Sequence, residues 1–155
     1  MTELKPRLSY GKVVPGVLRV MGEMERLVHE SGLESSLLEL VKVRASQING
    51  CAYCLDMHWK DARAGGETEQ RLYSLNAWRE TPFYTDRERA ALAWAESLTL
   101  LSQNDVPDEL YDEARRHFSE EELVNLTMAV VAINSWNRLI VSFRTVPGTY
   151  QPKGR

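Results

Sequence analysis

The only two cysteines of the chain lie in the stretch Cys51-Ala52-Tyr53-Cys54-Leu55-Asp56-Met57-His58, together with one of its three histidines. Helical spacing places Cys51, Cys54 and His58 on one stripe of an α-helix that begins at the cysteines. Two thiols three positions apart, with an acid–base group beside them, are equipped for reversible dithiol–disulfide chemistry. This stretch therefore predicts both a helix and a redox site.

The residues on either side also have helical periodicity, and no segment shows a sustained alternation of apolar and polar residues. We therefore predict an all-α fold, a helical bundle of about six to seven helices after an irregular start that ends at Pro15-Gly16. The expected helices cover 17–29, 35–48, Cys51 to the glycines at 65–66, 67–78, 86–101, 107–118 and 123–144. The capping boxes that begin at Thr85 and Ser119 mark two of the helix starts.

Length and composition indicate one ordinary globular domain. The 155 residues are predicted to form a single domain over 1–155, with the motif region at 35–65. A charged fraction of 26% and a net charge of −3 give no reason to expect nucleic acid as a partner.

The start of the chain lacks the basic and apolar segments of a secretory signal, so we predict a cytoplasmic protein. An apolar run at 126–133 is interrupted nearby by Asn125, Asn134 and Arg138, whereas a bilayer requires about 20 apolar residues in succession. We therefore expect a core helix or a subunit interface and no membrane span. Because cytosolic thiols are normally reduced, a lone C-x-x-C there is more often catalytic or metal-binding than a permanent crosslink.

The first cysteine follows Asn49-Gly50, which ends the preceding helix, so Cys51 is expected at a helix N-terminus. Unpaired backbone N–H groups and the helix dipole favour an anion there. Cysteines in such positions can have pKa values of about 3.5–7.5 instead of about 8.5. Residues three apart in a first helical turn are also close enough to form a disulfide.

Two further residues complete the candidate site. His58 follows Cys54 by four residues, so its imidazole can accept a thiol proton and return one to a leaving alkoxide. Glu39 is a carboxylate between apolar neighbours, on the helix that leads into the cysteines. If the two helices pack together, Glu39 can orient His58 or stabilise its charge.

Other interpretations of these residues remain open. The cysteines could form half of a zinc site completed by His58 and Glu39, although structural zinc sites usually draw on a second Cys/His pair. They could also be inert core residues. We predict no bound metal and no cofactor. The remaining candidates are assigned to the surface or to packing: His29 and His117, and Trp78, Trp94 and Tyr111.

The sequence resembles the alkylhydroperoxidase D-like branch of the carboxymuconolactone decarboxylase superfamily. The resemblance rests on Glu39 followed, after eleven residues, by Cys51-x-x-Cys54-x-x-x-His58. It continues through 44–63, 75–80 and 134–138 and covers nearly the whole chain. It implies an all-α subunit that forms a homo-oligomer, often a trimer or hexamer, and reduces hydroperoxides with its cysteine pair.

The same resemblance implies roles for individual residues. Glu39 and His58 would form a proton relay, Cys54 would attack the peroxide, and Cys51 would resolve the product. The residues alone do not decide which cysteine attacks the peroxide. The helix dipole favours the thiolate of Cys51, whereas the contact with His58 favours that of Cys54. Tyr53 stands where well-studied members carry a histidine, and its hydroxyl can hydrogen-bond a thiolate or peroxide oxygen.

We therefore predict a thiol-dependent peroxidase that acts on organic hydroperoxides or hydrogen peroxide. An external dithiol or a thioredoxin-like reductant would restore its thiols. The alternatives are a lactone decarboxylase-like enzyme on the same scaffold, a non-catalytic redox-switch protein and a metal-binding domain.

Overall fold

The computed structural model describes residues 3–152, and within that range the regular secondary structure is all helical, with no strand. The prediction of an all-α fold is confirmed. The outermost residues of the predicted domain, 1–2 and 153–155, lie outside the described range. The elements are α1 (Tyr10–Val13), α2 (Pro15–His29), α3 (Ser35–Asn49), α4 (Ala52–Ala64), α5 (Glu69–Tyr73), a 3-10 helix (Leu75–Glu80), α6 (Asp86–Thr99), α7 (Asp108–His117) and α8 (Glu120–Phe143).

The described range has nine helices, more than the six to seven predicted, because two segments differ from expectation. The start is not irregular up to Gly16: it contains α1, and α2 begins at Pro15, whose fixed φ suits the first helical position. The predicted helix over 67–78 divides at Ser74, whose hydroxyl donates to the carbonyl of Gln70 at 2.8 Å. Such local side-chain bonds compete with helix continuation.

Both predicted capping boxes are present. The hydroxyl of Thr85 accepts from the amide of Glu88, and the Glu88 carboxylate accepts from the amide of Thr85. Ser119 and Glu122 form the same reciprocal pair at the start of α8. Because the Ser119 cap lies directly before Glu120, α8 begins three residues earlier than the predicted Leu123.

Helix α3 lies at the centre of the fold and packs against α4, α6 and α8. It is buried nearly all round, with Leu40, Val41, Val43 and Ala45 at 0% exposure. A helix that is buried on nearly all sides belongs in a core, surrounded by other elements. The cysteine pair follows α3 directly, so the central buried helix positions the candidate redox site.

Helix α8 is long and apolar enough to cross a membrane, judged by length and composition alone. It packs against α2 and α3, and eight of its residues are buried, among them Leu126 and Ile133. The buried core helix of a globular domain has the same length and composition. The packing of α8 fits the predicted core helix.

Candidate redox site

The cysteine pair lies at the junction of α3 and α4. Gly50 ends α3 in the left-handed conformation, with φ 65°, and Cys51 then forms the N-cap of α4. The sulfur of Cys51 accepts a hydrogen bond from the amide of Cys54 at 3.4 Å. The two cysteines form a disulfide with a Cα–Cα separation of 5.3 Å. The expected position at a helix N-terminus is therefore present, and the pair closes without disturbing the helix.

A buried amide network fixes the end of α3 immediately before the cysteines. Asn137 of α8 is 1% exposed and donates to the hydroxyl of Ser46 at 3.1 Å. Its carbonyl oxygen accepts from Asn49 at 2.8 Å, and Asn49 donates also to Asn134 at 3.0 Å. Buried amides with satisfied partners have one defined geometry. This network therefore holds the C-terminal end of α3, which Cys51 follows, against α8.

Helix α4 places His58 against Glu39 of α3. His58 Nδ1 and Glu39 Oε2 are 2.8 Å apart, and the histidine side chain is only 7% exposed. An ionised carboxylate only accepts hydrogen bonds, so Nδ1 carries the proton and Nε2 is left as the basic nitrogen. The contact that the sequence led us to expect is present. The catalytic roles of these two residues stay predictions.

A third titratable residue, Asp61, joins this pair and was missing from the predicted site. A carboxylate oxygen of Glu39, a ring nitrogen of His58 and a carboxylate oxygen of Asp61 all lie within 4.8 Å of one another. The zinc set considered as an alternative needs both cysteine sulfurs, and these are bonded to each other. Asp61 lies three residues after His58 on the same stripe of α4, a spacing visible in the sequence.

The hydroxyl of Tyr150 donates to Asp61 Oδ1 at 2.7 Å. Burial, this hydrogen bond and the nearby charges of Asp61 and Glu39 raise the pKa of Tyr150 above its ordinary value. Tyr150 is therefore a protonated donor at neutral pH. Its partner is 89 residues away in the chain, and no local pattern in the sequence signals the contact.

A cavity of about 270 Å³ lies beside the cysteines. Cys54 and His58 line it together, whereas Cys51 is not among its lining residues. The walls are mainly apolar and aromatic: Tyr10, Leu18, Tyr53, Met57, Ile133, Trp136, Ile140 and Thr145. Small apolar cavities with a few convergent polar groups are typical of sites for organic ligands.

One wall of the cavity is held by a polar chain that the sequence analysis missed. The indole Nε1 of Trp136 donates to Glu25 Oε1 at 3.1 Å. Glu25 Oε2 accepts from Lys42 Nζ, also at 3.1 Å, and the Lys42 side chain is 10% exposed. This chain joins α8, α2 and α3 and holds the indole ring against the cavity.

The residues assigned to the surface or to packing lie outside this site. His29 is exposed, and His117 pairs with Glu113 at 3.1 Å. Trp78 and Trp94 are buried, and Tyr111 is exposed with its ring centroid 6.4 Å from that of Trp94.

Sequence comparison identifies the protein's relatives. The profile of the carboxymuconolactone decarboxylase family matches residues 15–97, more than half of the chain. The chain belongs to that family. This family member is 45% identical to the uncharacterized protein YdfG of Bacillus subtilis over 139 residues, which are 90% of this chain and 95% of YdfG.

Solved structures place this family member in the alkylhydroperoxidase D-like branch. A protein of unknown function from Agrobacterium tumefaciens, described as a candidate antioxidant defence protein AhpD, is 42% identical and superposes with a TM-score of 0.90. The match covers 94% of this chain and all of that one. The resemblance deduced from Glu39 and the cysteine motif is confirmed.

A more distant structure shows how far the fold extends. The debrominase Bmp8 is 20% identical, with a TM-score of 0.77 over 87% of this chain and 73% of its own. At that identity the likeness concerns the fold alone. The same scaffold therefore carries more than one activity in different proteins.

Proposed function

We propose that this protein is a thiol peroxidase that reduces organic hydroperoxides or hydrogen peroxide through a Cys51–Cys54 dithiol/disulfide cycle. One observation carries the proposal: Cys54 and His58 line the same apolar cavity, and His58 is hydrogen-bonded to Glu39. A nucleophile, a base and a group that orients the base form the arrangement expected of an activated nucleophile. The antioxidant description of the Agrobacterium relative supports the same role.

The oxidative half-cycle begins at Cys54, the cysteine that lines the cavity. Its thiolate attacks the terminal oxygen of the hydroperoxide, so an S–O bond forms, the O–O bond breaks and sulfur loses two electrons. The departing alkoxide takes a proton from His58. The sulfenic acid then condenses with the Cys51 thiol, which gives the disulfide and water. In sum, two thiols and one hydroperoxide yield one disulfide, one alcohol and one water.

The position of Cys51 supports its role as the resolving cysteine. Both cysteines are buried, at 0% and 1% exposure, but only Cys54 lines the cavity. Tyr53 lines the same cavity as Cys54, and a tyrosine hydroxyl can hydrogen-bond a peroxide oxygen. An external dithiol or thioredoxin-like protein would reduce the disulfide by thiol–disulfide exchange.

The test is dithiol-dependent turnover of cumene hydroperoxide by the wild type, Cys51→Ser, Cys54→Ser and the double variant. We expect turnover to be lost in all three variants, because each lacks one sulfur of the cycle. Cys54→Ser should also lose the first reaction with peroxide, whereas Cys51→Ser should retain it and accumulate sulfenic acid. Full turnover in both single variants would refute the peroxidase.

The same variants separate the alternatives. Lactone decarboxylation needs no cysteine pair, so activity on a lactone substrate that survives in the double variant would favour that chemistry. A redox switch would show one oxidation event, slow recycling and a change in oligomer size.

A further inference from the structure

A second opening lies beside the carboxylate side of the site. It is a cavity of about 40 Å³, and its walls include Ser35, Ser36, Glu39, Asp61 and Glu67. It shares no lining residue with the cavity at Cys54. Its volume is enough for a water molecule, and its walls offer the polar partners that such a water needs. His58 thus lines one cavity, and its hydrogen-bond partner Glu39 lines the other.

The chain holds Asp61 in place at this opening with its C-terminal segment. Three hydrogen bonds tie that segment to α4: the amide of Gly148 donates to Asp56 at 3.0 Å, Lys60 donates to the carbonyl of Tyr150 at 3.0 Å, and the Tyr150 hydroxyl donates to Asp61 at 2.7 Å. A tyrosine hydroxyl whose pKa is raised remains a donor at neutral pH, so it holds the carboxylate in one orientation.

The cycle requires protons to reach this part of the molecule. A reductant attacks a disulfide as a thiolate, so it has already released its proton to solvent. Each sulfur set free on the protein must then regain a proton, and both sulfurs are buried. The relay of His58 and Glu39 can supply one proton, but solvent must then restore it.

We propose that Asp61 is the proton entry of the relay: water in the small cavity exchanges protons with Asp61, which passes them to Glu39 and His58. The inference rests on the proposed dithiol/disulfide cycle and adds a residue to it. The three side chains have donor atoms within 4.8 Å of one another, a span that one bridging water covers. Asp61 acts through Glu39 and His58, so it is a positioning and relay residue that touches no substrate.

The other ionisable groups near the relay have defined partners. Glu67 at the same opening pairs with Arg71 at 2.9 Å, and Asp56 pairs with Lys60 at 2.9 Å. Tyr150 bonds Asp61, and Tyr53 and Cys54 line the larger cavity together with His58. Glu39, Asp61 and Glu67 all line the small cavity, and Glu67 is held by Arg71. Asp61 is therefore the carboxylate placed to exchange protons with Glu39 through water in that cavity.

The chain offers a matched control for this proposal. Asp61→Asn removes the titratable group at the opening and keeps its shape. Asp56→Asn changes the same residue type on the same helix and weakens one bond to the C-terminal segment, that of the Gly148 amide, but it keeps the Tyr150–Asp61 bond, and Asp56 does not line the small cavity. Tyr150→Phe removes only the hydroxyl that orients Asp61.

The experiment measures the rate at which dithiothreitol reduces the Cys51–Cys54 disulfide, from pH 5.5 to 8.5, at low and high imidazole concentration and constant ionic strength. At low imidazole we expect the disulfide of Asp61→Asn to be reduced about tenfold more slowly than that of the wild type. This loss is smaller than for removal of a direct acid–base group. High imidazole should restore the wild-type rate. A small acid in solution can replace a missing relay, but it cannot repair a displaced helix. Tyr150→Phe should show the same pattern with a smaller loss, and Asp56→Asn should match the wild type.

Two results would overturn the proposal. The first is a wild-type rate in Asp61→Asn. The second is a lower reduction rate that imidazole does not restore and that Asp56→Asn also shows. That result would mean that Asp61 only holds the C-terminal segment. The assay contains no peroxide, so a wild type that is reduced normally but does not turn over hydroperoxide would refute the peroxidase and leave the relay to be judged on these rates.

Discussion

His58 Nδ1 lies 2.8 Å from Glu39 Oε2, although 19 residues separate the two in the chain. The contact fixes the ring of the histidine and leaves Nε2 as its basic nitrogen. It joins α3 to α4 at the point where both helices approach the cysteine pair. Glu39 therefore links the central core helix to the histidine that lines the cavity with Cys54.

Loss of this contact should slow the reaction with peroxide. We expect Glu39→Gln and His58→Asn to lower the rate of thiol loss by about 10²–10⁴-fold, the range of general acid–base catalysis. Stopped-flow mixing of reduced protein with cumene hydroperoxide measures that rate. The control is Glu30→Gln, at an exposed glutamate that follows the last residue of α2. This variant should react like the wild type. A wild-type rate in Glu39→Gln would show that His58 needs no carboxylate partner.

Trp136 should select for organic hydroperoxides. Its indole forms an apolar wall of the cavity and is held by Glu25, so Trp136→Ala should raise KM for cumene hydroperoxide by about tenfold and change that for hydrogen peroxide much less. Steady-state kinetics with both peroxides checks this difference. Trp59→Ala, at an exposed tryptophan of α4, is the matched control. Equal changes in KM for both peroxides would show that Trp136 does not discriminate between them.

Asn137 should contribute to stability as well as to the position of Cys51. Asn137→Ala leaves Ser46 and Asn49 without their buried partner, so we expect the free energy of unfolding to fall by about 1–3 kcal/mol. Urea denaturation measures the loss, with Asn125→Ala at a partly buried position of the same helix as the control. An unchanged midpoint would mean that water or neighbouring groups replace the amide without cost.

Glu96 should make the fold less stable at acid pH. Burial raises its pKa, but hydrogen bonds from Trp78, Arg79 and Arg44 outweigh burial and lower it overall. A carboxylate whose pKa is lower in the folded state stabilises the fold above its unfolded pKa of about 4.3, and that contribution is lost as pH falls through the folded value.

The corresponding variant is Glu96→Gln, which should be less stable than the wild type at pH 7 by about 1–3 kcal/mol. This difference in the free energy of unfolding should become smaller below about pH 4, because the wild-type carboxyl becomes protonated. Urea denaturation over that pH range measures it, with the exposed Glu80→Gln as the control. A gap that stays constant with pH would mean that the Glu96 charge does not contribute.

The subunit should assemble into a homo-oligomer, as the family resemblance implies. Val124 and Val131 lie two turns apart on one face of α8 and are 64% and 43% exposed. Light scattering on the purified protein should give a trimer or hexamer. Val131→Glu should lower the mass toward that of a monomer, whereas Val20→Glu on α2, where the valine is 58% exposed, should not. A monomeric wild type would contradict the prediction.

The fold could be predicted from the sequence because its signals are local. The capping boxes at Thr85 and Ser119 and the left-handed glycine at 50 act within a few residues. The failures have other causes. The short helix at 10–13 has no capping side chain, and the division at Ser74 depends on one hydroxyl bond within a segment of helical composition.

The candidate site was predictable to the extent that one helix carries it. Spacing on α4 brought together Cys51, Cys54 and His58, and the helix that leads into them supplied Glu39. Contacts between distant parts of the chain were not predictable. Tyr150 reaches Asp61 across 89 residues and Trp136 reaches Glu25 across 111, and no local pattern records which side chains meet when helices pack.

The central claim is that the cysteine pair reduces hydroperoxides in repeated cycles. The most direct measurement is intact mass with free-thiol counting on the reduced protein, before and after a small excess of cumene hydroperoxide, over several cycles of added dithiol. The account predicts rapid loss of both thiols as an intramolecular disulfide, one alcohol formed per disulfide, and full recovery in each cycle. Thiols that persist, or that oxidise only over hours, would contradict it.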